Sequence, residues 1–440
     1  MPEQNKKVLI ITYYWPPSGG SGVQRWLKFV KYLPQFGWEP YVFTPQNPSF
    51  AIRDNSLLDN VPDEAEVIHF PIWEPYETFF SLSRWFGKKK TGNPVDFVAT
   101  GNPSLFKKIS IWLRGNLIVP DPRIFWVRPS VKFLQDFLVD NQIDKVITTG
   151  PPHSMHLIGY FLKKKNDRIT WMADFRDPWS QWGLLDSLRV SRPVRNIHRS
   201  LEQKVLRSAD IVTTITPFYV RHFEKLGKRS VELLTNGYDG DDFRDLKIVR
   251  NEKFLIRHVG IVNEKCDPRP FMNALGEWVN LHPEAAADVR IEFIGEVHAD
   301  FRSFVASHPL NRLSVFTATM PHKQLISVYG SSSILLLILE GYRDAAGYMP
   351  GKLFEYIATG LPILGVGPVN GDAASLLKES GTGKMLSSSD TRGIQNFISE
   401  VFDLWKNDLP LRKNRSAPEK YSRKSITEKL ITLLQDHVRL

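Results

Sequence analysis

The chain holds a single cysteine in 440 residues, Cys266. One thiol excludes an intramolecular disulfide and a thiolate metal cluster, and it suits a reducing compartment. Long apolar runs are also missing. No stretch reaches the ~18 apolar residues that a membrane-spanning helix needs. Residues 8–15 are too short for a signal-peptide core, and Pro16-Pro17 interrupts them. Acidic side chains fall short of basic ones, 47 against 57, giving a net charge of +10 and a pI near 9.4. That balance favours an anionic partner. The marks of nucleic-acid recognition are absent: there is no zinc-finger spacing, no RNP-like aromatic run and no long basic helix with base-reading residues. The expectation is a cytoplasmic protein, peripheral at most on the inner face of a membrane. It should take a phosphorylated substrate and no nucleic acid.

What is present is ample core-forming material, 42 % hydrophobic with 24 % charged residues, and a length that predicts about two to three domains. Residues 8–13 are apolar and β-branched and end at a glycine-rich loop. Residues 23–36 follow with Trp26, Phe29, Val30 and Leu33 at helical spacing, and Gly37 stops them. Residues 39–44 read as a second strand. This strand–loop–helix–strand opening predicts an α/β, Rossmann-like layer with parallel strands. Further strands are expected at 66–70, 145–149, 170–174 and 210–216. Residues 236–249 are polar and rich in Asp and read as an interdomain linker. A second α/β unit follows, with strands at 254–260, 289–294, 313–316, 334–339 and 363–366 and helices at 271–281 and 352–359. Residues 421–438 hold Ile426, Leu430, Ile431 and Leu433 in helical register.

The most informative run is Pro350-Gly351-Lys352-Leu353-Phe354-Glu355-Tyr356, followed by Gly360 and Pro362. Leu353, Ile357 and Ala358 share one face of a short helix, with Glu355 off that face. Gly360 stops the helix and Pro362 cannot continue it. A lone carboxylate in so apolar a helix is seldom there for packing. With Lys352 beside it, the run resembles the donor-binding segment of retaining GT-B glycosyltransferases of family 4, in the bacterial branch that carries a Gly-Lys-Leu-Phe-Glu-Tyr motif. In that family the helix-borne Glu accepts hydrogen bonds from the ribose of a sugar nucleotide. The fuller signature has another Glu eight positions earlier, where this chain has Gly347.

The resemblance implies two Rossmann-like domains facing across a cleft, with a C-terminal helix crossing back to the first. Residues 1–245, joined by 415–440, would form the acceptor side, and 250–414 would bind the nucleotide sugar. The implied reaction moves a sugar from a nucleotide-diphosphate donor to a glycan or polyprenyl-linked acceptor with retention, in cell-surface polysaccharide synthesis. Neither a cofactor nor a metal is expected. The family reaction is drawn as front-face attack in which the leaving phosphate takes the acceptor proton, which removes the need for a carboxylate nucleophile pair. A GT-B nucleotide-sugar epimerase and a non-catalytic sugar-nucleotide-binding or scaffold protein are the alternatives.

Other constellations are read in that light. The loop with Gly19, Gly20 and Gly22 can present N–H groups to an anion at the start of a helix. It is not a dinucleotide fingerprint, because Arg25 stands where the third glycine is required and no acidic residue ends the strand at 41–44. The resemblance places it near the donor phosphates; a plain tight turn is the other reading. His153 follows Gly150-Pro151-Pro152 at a strand exit, where it is either structural or a sugar and proton contact. Asp174-Phe175-Arg176-Asp177-Pro178-Trp179 puts three charges at another strand exit. There Arg176 is expected to pair with Asp174 or Asp177, and Trp179 and Trp182 to offer flat faces to a sugar. In the second unit, Gly260 is followed by Ile261 where the family commonly has Arg. Lys265 and Arg269 are then expected to join Lys352 in a cationic cradle for the diphosphate. Asn370 and Gly371 precede a helix expected from Ala373 and can offer backbone N–H groups to phosphate. Aromatics interleaved with lysines at 72–90 and 104–114, Lys88, Lys89 and Lys90 among them, read as contact with an anionic membrane surface or as a buried face with solvated edges.

Overall fold

The computed structural model describes residues 6–48, 50, 53–74, 105–181, 183–339, 344–412 and 417–437. The chain divides into two compact units. The first comprises Met1–Ile215, Tyr219–Leu234 and Thr427–Leu440, and the second Thr216–Phe218 and Thr235–Ile426.

The first unit is built on seven parallel strands: β1 Lys7–Ile11, β2 Glu39–Pro45, β3 Glu66–Phe70, β4 Lys145–Gly150, β5 Thr170–Phe175, β6 Ile211–Thr214 and β7 Glu232–Leu233. Their order is β3-β2-β1-β4-β5-β6-β7. The chain winds outward from β1 to β3, then returns beside β1 and winds the other way. β4 and β5 are buried at every residue, as strands covered on both faces must be. That is why they read in the sequence as unbroken runs rather than as alternation.

The second unit repeats the plan with six strands: β8 Phe254–Val259, β9 Val289–Ile294, β10 Ser314–Thr317, β11 Ile334–Ile338, β12 Ile363–Val366 and β13 Gly383–Leu386, in the order β10-β9-β8-β11-β12-β13. Successive side chains of β11 enter opposite layers. Leu336 and Ile338 join Trp278, Phe397 and Trp405 in one core, while Leu335 and Leu337 join Leu353, Tyr356, Ile357 and Leu377 in the other. The period of two along a strand thus produces helices on both faces. Truncating a side chain such as Leu336 to Ala should cost about 2–5 kcal/mol.

The segment read as a free linker is packed. Tyr238 belongs to the second core, with Phe243 and Leu246 against it. The Tyr238 N–H donates to the Tyr421 carbonyl at 3.1 Å, and the Arg423 N–H returns to the Tyr238 carbonyl at 2.7 Å. Three apolar side chains among the acids outweigh the polar composition. The main chain therefore changes unit at Leu234/Thr235, earlier than the expected 245, and residues 417–426 lie with the second unit. The last helix, Arg423–Asp436, belongs to the first unit from Thr427 onward. No helix among the described residues is long and apolar enough to cross a membrane.

Candidate functional site

In a doubly wound sheet the ligand crevice lies at the carboxyl ends of the strands where the winding reverses. In the second unit that place is between β8 and β11. Their ladder is short: only Ile256 and Arg257 pair, with Ile334 and Leu335. Beyond them the facing backbone groups are taken by side chains. His258 Nδ1 lies 3.1 Å from the Leu336 carbonyl, and the Cys266 thiol donates to the Ile338 carbonyl at 3.5 Å. The Val259 N–H donates to the Tyr356 hydroxyl at 3.1 Å, and Lys352 Nζ donates to the Val259 carbonyl at 2.8 Å. Those side chains satisfy polar groups that the missing ladder would otherwise leave unpaired.

Lys352, Tyr356 and Glu355 all come from the helix Gly351–Thr359, which Gly360 ends in the left-handed conformation at φ 72°. Leu353, Phe354, Tyr356, Ile357 and Thr359 are buried. Gly351, Lys352, Glu355 and Ala358 form the half-buried stripe left over, at the three-to-four spacing of one helix face. Ala358, half-buried, still packs against the core that holds Leu353 and Ile357. Lys352 has one of its three donors on Val259, and among the described residues no acceptor takes the other two. Burial draws its pKa below the ordinary lysine value, with the Cys266 thiol and the Glu355 carboxylate acting against that.

Gly260 makes this arrangement possible. Its φ is +132°, and a Cβ there would lie 2.9 Å from Lys352 Nζ. Gly295, at φ +130°, packs on it so closely that a Cβ would meet the Gly260 carbonyl oxygen at 2.5 Å. Two strand exits are held backbone against backbone beneath the ammonium.

Glu355 accepts from His322 Nε2 at 2.9 Å on one oxygen and from the Tyr329 hydroxyl at 3.0 Å on the other. Its side chain remains 19 % exposed. Burial pushes its pKa up, but the His322 hydrogen bond and charge, the Tyr329 hydroxyl and the Arg423 guanidinium together hold it below the usual carboxylate value. Burial and the same carboxylate push the Tyr329 hydroxyl well above its ordinary value, so it stays a donor.

Of the other cations expected in the cradle, Lys265 is exposed, and Arg269 is held by Asp267 at 3.5 Å and lies over the Phe304 ring at 5.7 Å. Asn370 is exposed, and Gly371 caps the helix Asp372–Ser380, which begins one residue before the expected Ala373. Gly347 is buried: a Cβ on it would overlap the Phe218 ring at 2.4 Å. The space that a side chain at position 347 would enter is therefore filled by an aromatic ring.

In the first unit the winding reverses between β1 and β4, and Arg176 marks the spot. Its guanidinium donates to the carbonyls of Gly22 at 2.8 Å, Gly150 at 3.3 Å and Pro151. It thereby ties the start of the helix Ser21–Tyr32 to the exit of β4. The expected pairing with Asp174 is not formed. Asp174 is fully buried and goes to Arg25, at 2.8 and 3.1 Å, with Trp26, Thr149 and Thr213 as further donors. Arg25 wins because its fork meets both carboxylate oxygens inside the core. Asp177 interacts with Arg176 electrostatically, and burial raises its carboxyl pKa.

His153 is buried and stacks on Trp179, with centroids 5.0 Å apart and planes within 1°. That stacking covers the indole, so Trp179 offers no open face to a sugar; Trp182 lies outside the described residues. Burial, with the neighbouring His156, Arg176 and His198, holds the His153 pKa well below its ordinary value, so the ring is neutral at physiological pH. Gly20, at φ 87°, is the exposed cap residue of the helix Ser21–Tyr32, Gly19 is half-buried before it, and Gly22 packs against Tyr14. Of the aromatic-basic stretches, residues 75–104 lie outside the described residues. On the helix Leu105–Leu117, Trp112, Leu113 and Leu117 are exposed.

His322, Tyr329 and Tyr356 were not legible as site residues. The one available signal is the spacing of His322 and Tyr329, which puts both on one face of the helix His322–Gly330.

No protein-family model matches this sequence, and no curated protein matches it. Solved structures do. A glycosyltransferase from Rickettsia africae superposes with a TM-score of 0.64 at 13 % identity, covering 99 % of this chain and 100 % of that one. An E. coli trehalose-6-phosphate structure bound with UDP-2-fluoro glucose gives 0.58 at 10 % identity, covering 99 % of each. A Listeria monocytogenes protein described as a UDP-N-acetylglucosamine 2-epimerase gives 0.53 at 13 % identity, covering 99 % of this chain and 97 % of that one. The likeness spans the whole length of all three, and with the two doubly wound sheets it shows that this chain has the GT-B fold.

Proposed function

We propose that this protein is a glycosyltransferase that moves a sugar from a nucleotide-diphosphate donor to a lipid-linked or glycan acceptor, in cell-surface polysaccharide synthesis. The observation that carries the reading is the stripe of Lys352 and Glu355 at the opened β8/β11 switch point. An ammonium with two uncommitted donors stands over a glycine turn, and a carboxylate with open lone pairs lies one helical turn away. A diphosphate and a ribose are what those two groups suit. Lys352 takes the charge that develops on the leaving diphosphate, and Glu355 accepts from the ribose hydroxyls. The positive charge comes from the protein, so a metal ion is not required.

Arg176, at the switch point of the first unit, is assigned to the acceptor side, with buried His153 beside it as part of the packing. Exposed Trp112, Leu113 and Leu117 on a helix that also carries Lys107, Lys108 and Arg114 support a lipid-linked acceptor and a membrane surface beside it. Retention at the anomeric carbon belongs to the same reading through the sequence resemblance to family 4.

A thermal-shift screen against nucleoside diphosphates, then mass spectrometry of sugar-nucleotide turnover with and without acceptor, tests the proposal. Stabilisation by one nucleotide and product formation only with acceptor are expected. The epimerase-like neighbour makes a second outcome specific: interconversion of the sugar nucleotide without acceptor would replace transfer with epimerisation. Binding without turnover under either condition would reduce the protein to a sugar-nucleotide-binding role.

A further inference from the structure

Glu355 is gripped from one neighbouring helix at two points. His322 and Tyr329 lie at opposite ends of His322–Gly330, two turns apart, and each reaches a different carboxylate oxygen. Tyr329 is anchored in the core at 1 % exposure. The His322 side chain is only partly covered, and its second ring nitrogen, Nδ1, lies 4.0 Å from Asp242 Oδ2. Asp242 belongs to the short helical turn Gly240–Phe243, which Asp239 caps. An imidazole therefore stands between two carboxylates carried by two different elements. Arg423 and Lys352 are the other charged groups that act on Glu355.

The physical need for such a grip is plain. The last torsion of a Glu side chain is broad, so an unheld carboxylate rotates freely. Once each oxygen holds one donor, the plane of the group is set, and each oxygen keeps a lone pair for a ligand. A fixed carboxylate with two parallel acceptors matches a cis-diol. Donation to the Glu355 carboxylate places a proton on Nε2, and the ionised acceptor makes that contact a charge-assisted one, while Asp242 sets a second carboxylate beyond the ring's other nitrogen.

We propose that His322 is a positioning residue for nucleotide recognition: it fixes the Glu355 carboxylate for the 2′- and 3′-hydroxyls of a ribose, and Asp242 orients His322 in turn. The site thereby selects ribonucleotides over deoxyribonucleotides. This inference rests on the assignment of Glu355 to the donor ribose made above.

The test is calorimetry on the full chain with UDP, GDP and ADP, each against its 2′,3′-dideoxy counterpart, for the parent, His322→Ala and His322→Gln. The parent should prefer the ribose form of its nucleotide by about tenfold or more, the size of a lost charged hydrogen bond. His322→Ala should weaken binding of the ribose form about tenfold and leave the dideoxy form within about twofold, which collapses the preference. His322→Gln, whose amide N–H reaches the Nε2 position, should recover most of it. The dideoxy nucleotide reports general damage to the fold. Equal weakening of both forms by His322→Ala, or an undiminished ribose preference, would overturn the inference and leave Glu355 in place. A parent that binds the ribose and dideoxy forms alike would overturn the Glu355 assignment, and the role of His322 with it.

Discussion

Lys352→Met removes the ammonium at the β8/β11 opening and keeps most of the side chain's volume. In the ground state Lys352 makes a single protein hydrogen bond, to the Val259 carbonyl, so the direct loss of stability is about 0.5–1.5 kcal/mol. Its larger effect falls on the reaction. The leaving diphosphate gains charge as the sugar departs, and a preorganised cation is stronger against that charge than against the bound donor. Removing one such donor costs about 2.7–4 kcal/mol, or roughly 10²–10³ in kcat. Nucleotide affinity should fall less, by about 1.5–3 kcal/mol for one charged hydrogen bond. Turnover, nucleotide Kd and melting temperature measured on one preparation separate the three effects. Burial depresses the lysine pKa, and this adds a check by sign. Between the depressed folded value and the ordinary value of about 10.4, the unfolded chain binds the extra proton, so stability rises with pH. Over the same window the folded ammonium is lost, so nucleotide affinity falls. A variant that turns over at the parental rate, or a parent whose stability and affinity move together through that window, would refute this account.

Glu355→Gln should weaken nucleotide binding by about 1.5–3 kcal/mol while the fold survives, since the amide oxygen can still accept from His322. Because the Glu355 pKa is held down, nucleotide affinity should persist from neutral pH through mild acid. It should fall only as pH drops through that depressed value, and an earlier loss would contradict the grip described for the carboxylate. Transfer should continue in excess chelator; abolition by chelator and recovery with magnesium or manganese would reverse the assignment of charge to Lys352. Anionic vesicles should bind the protein at low salt and release it as salt rises. Neutralising Lys88, Lys89 and Lys90 should weaken that binding without changing nucleotide affinity, and equal binding to uncharged vesicles would count against the membrane surface.

How much of this was legible depends on where each interaction is encoded. Residues 363–366, buried throughout, read as an unbroken apolar run, and 289–294 alternates apolar with charged residues; both are strands to the residue. The edge strands Glu232–Leu233 and Gly383–Leu386 are short and partly exposed and carry no such run. Glu355 and Lys352 stand out because a motif puts two charges in an apolar helix. Their partners do not stand out: the contacts of Glu355 span 33 and 26 positions, and that of Asp174 with Arg25 spans 149. Local reading offered Arg176 either Asp174 or Asp177 by proximity; the fold leaves Asp177 beside it and gives Asp174 to a residue that only the sheet brings near. The supposed linker misled for the opposite reason. Its acids are conspicuous, but Tyr238, Phe243 and Leu246 decide where it lies.

The Phe218 ring over Gly347 couples two positions far apart in the chain. A Cβ on residue 347 would also lie 2.9 Å from Phe218 Cβ, which no turn of the ring relieves, and the Phe218 backbone N–H is held by Asp372 at 2.8 Å. Placing a carboxylate there by Gly347→Glu alone should therefore destabilise the second unit, and Phe218→Ala alone should lose the ring's packing. Made together, the two changes should be milder than their sum. That is a departure from additivity: a protein that acquires both changes passes through a destabilised single variant whichever comes first. A packing arrangement of this kind is difficult to convert one substitution at a time, and designs that alter it should vary 218 and 347 as a pair.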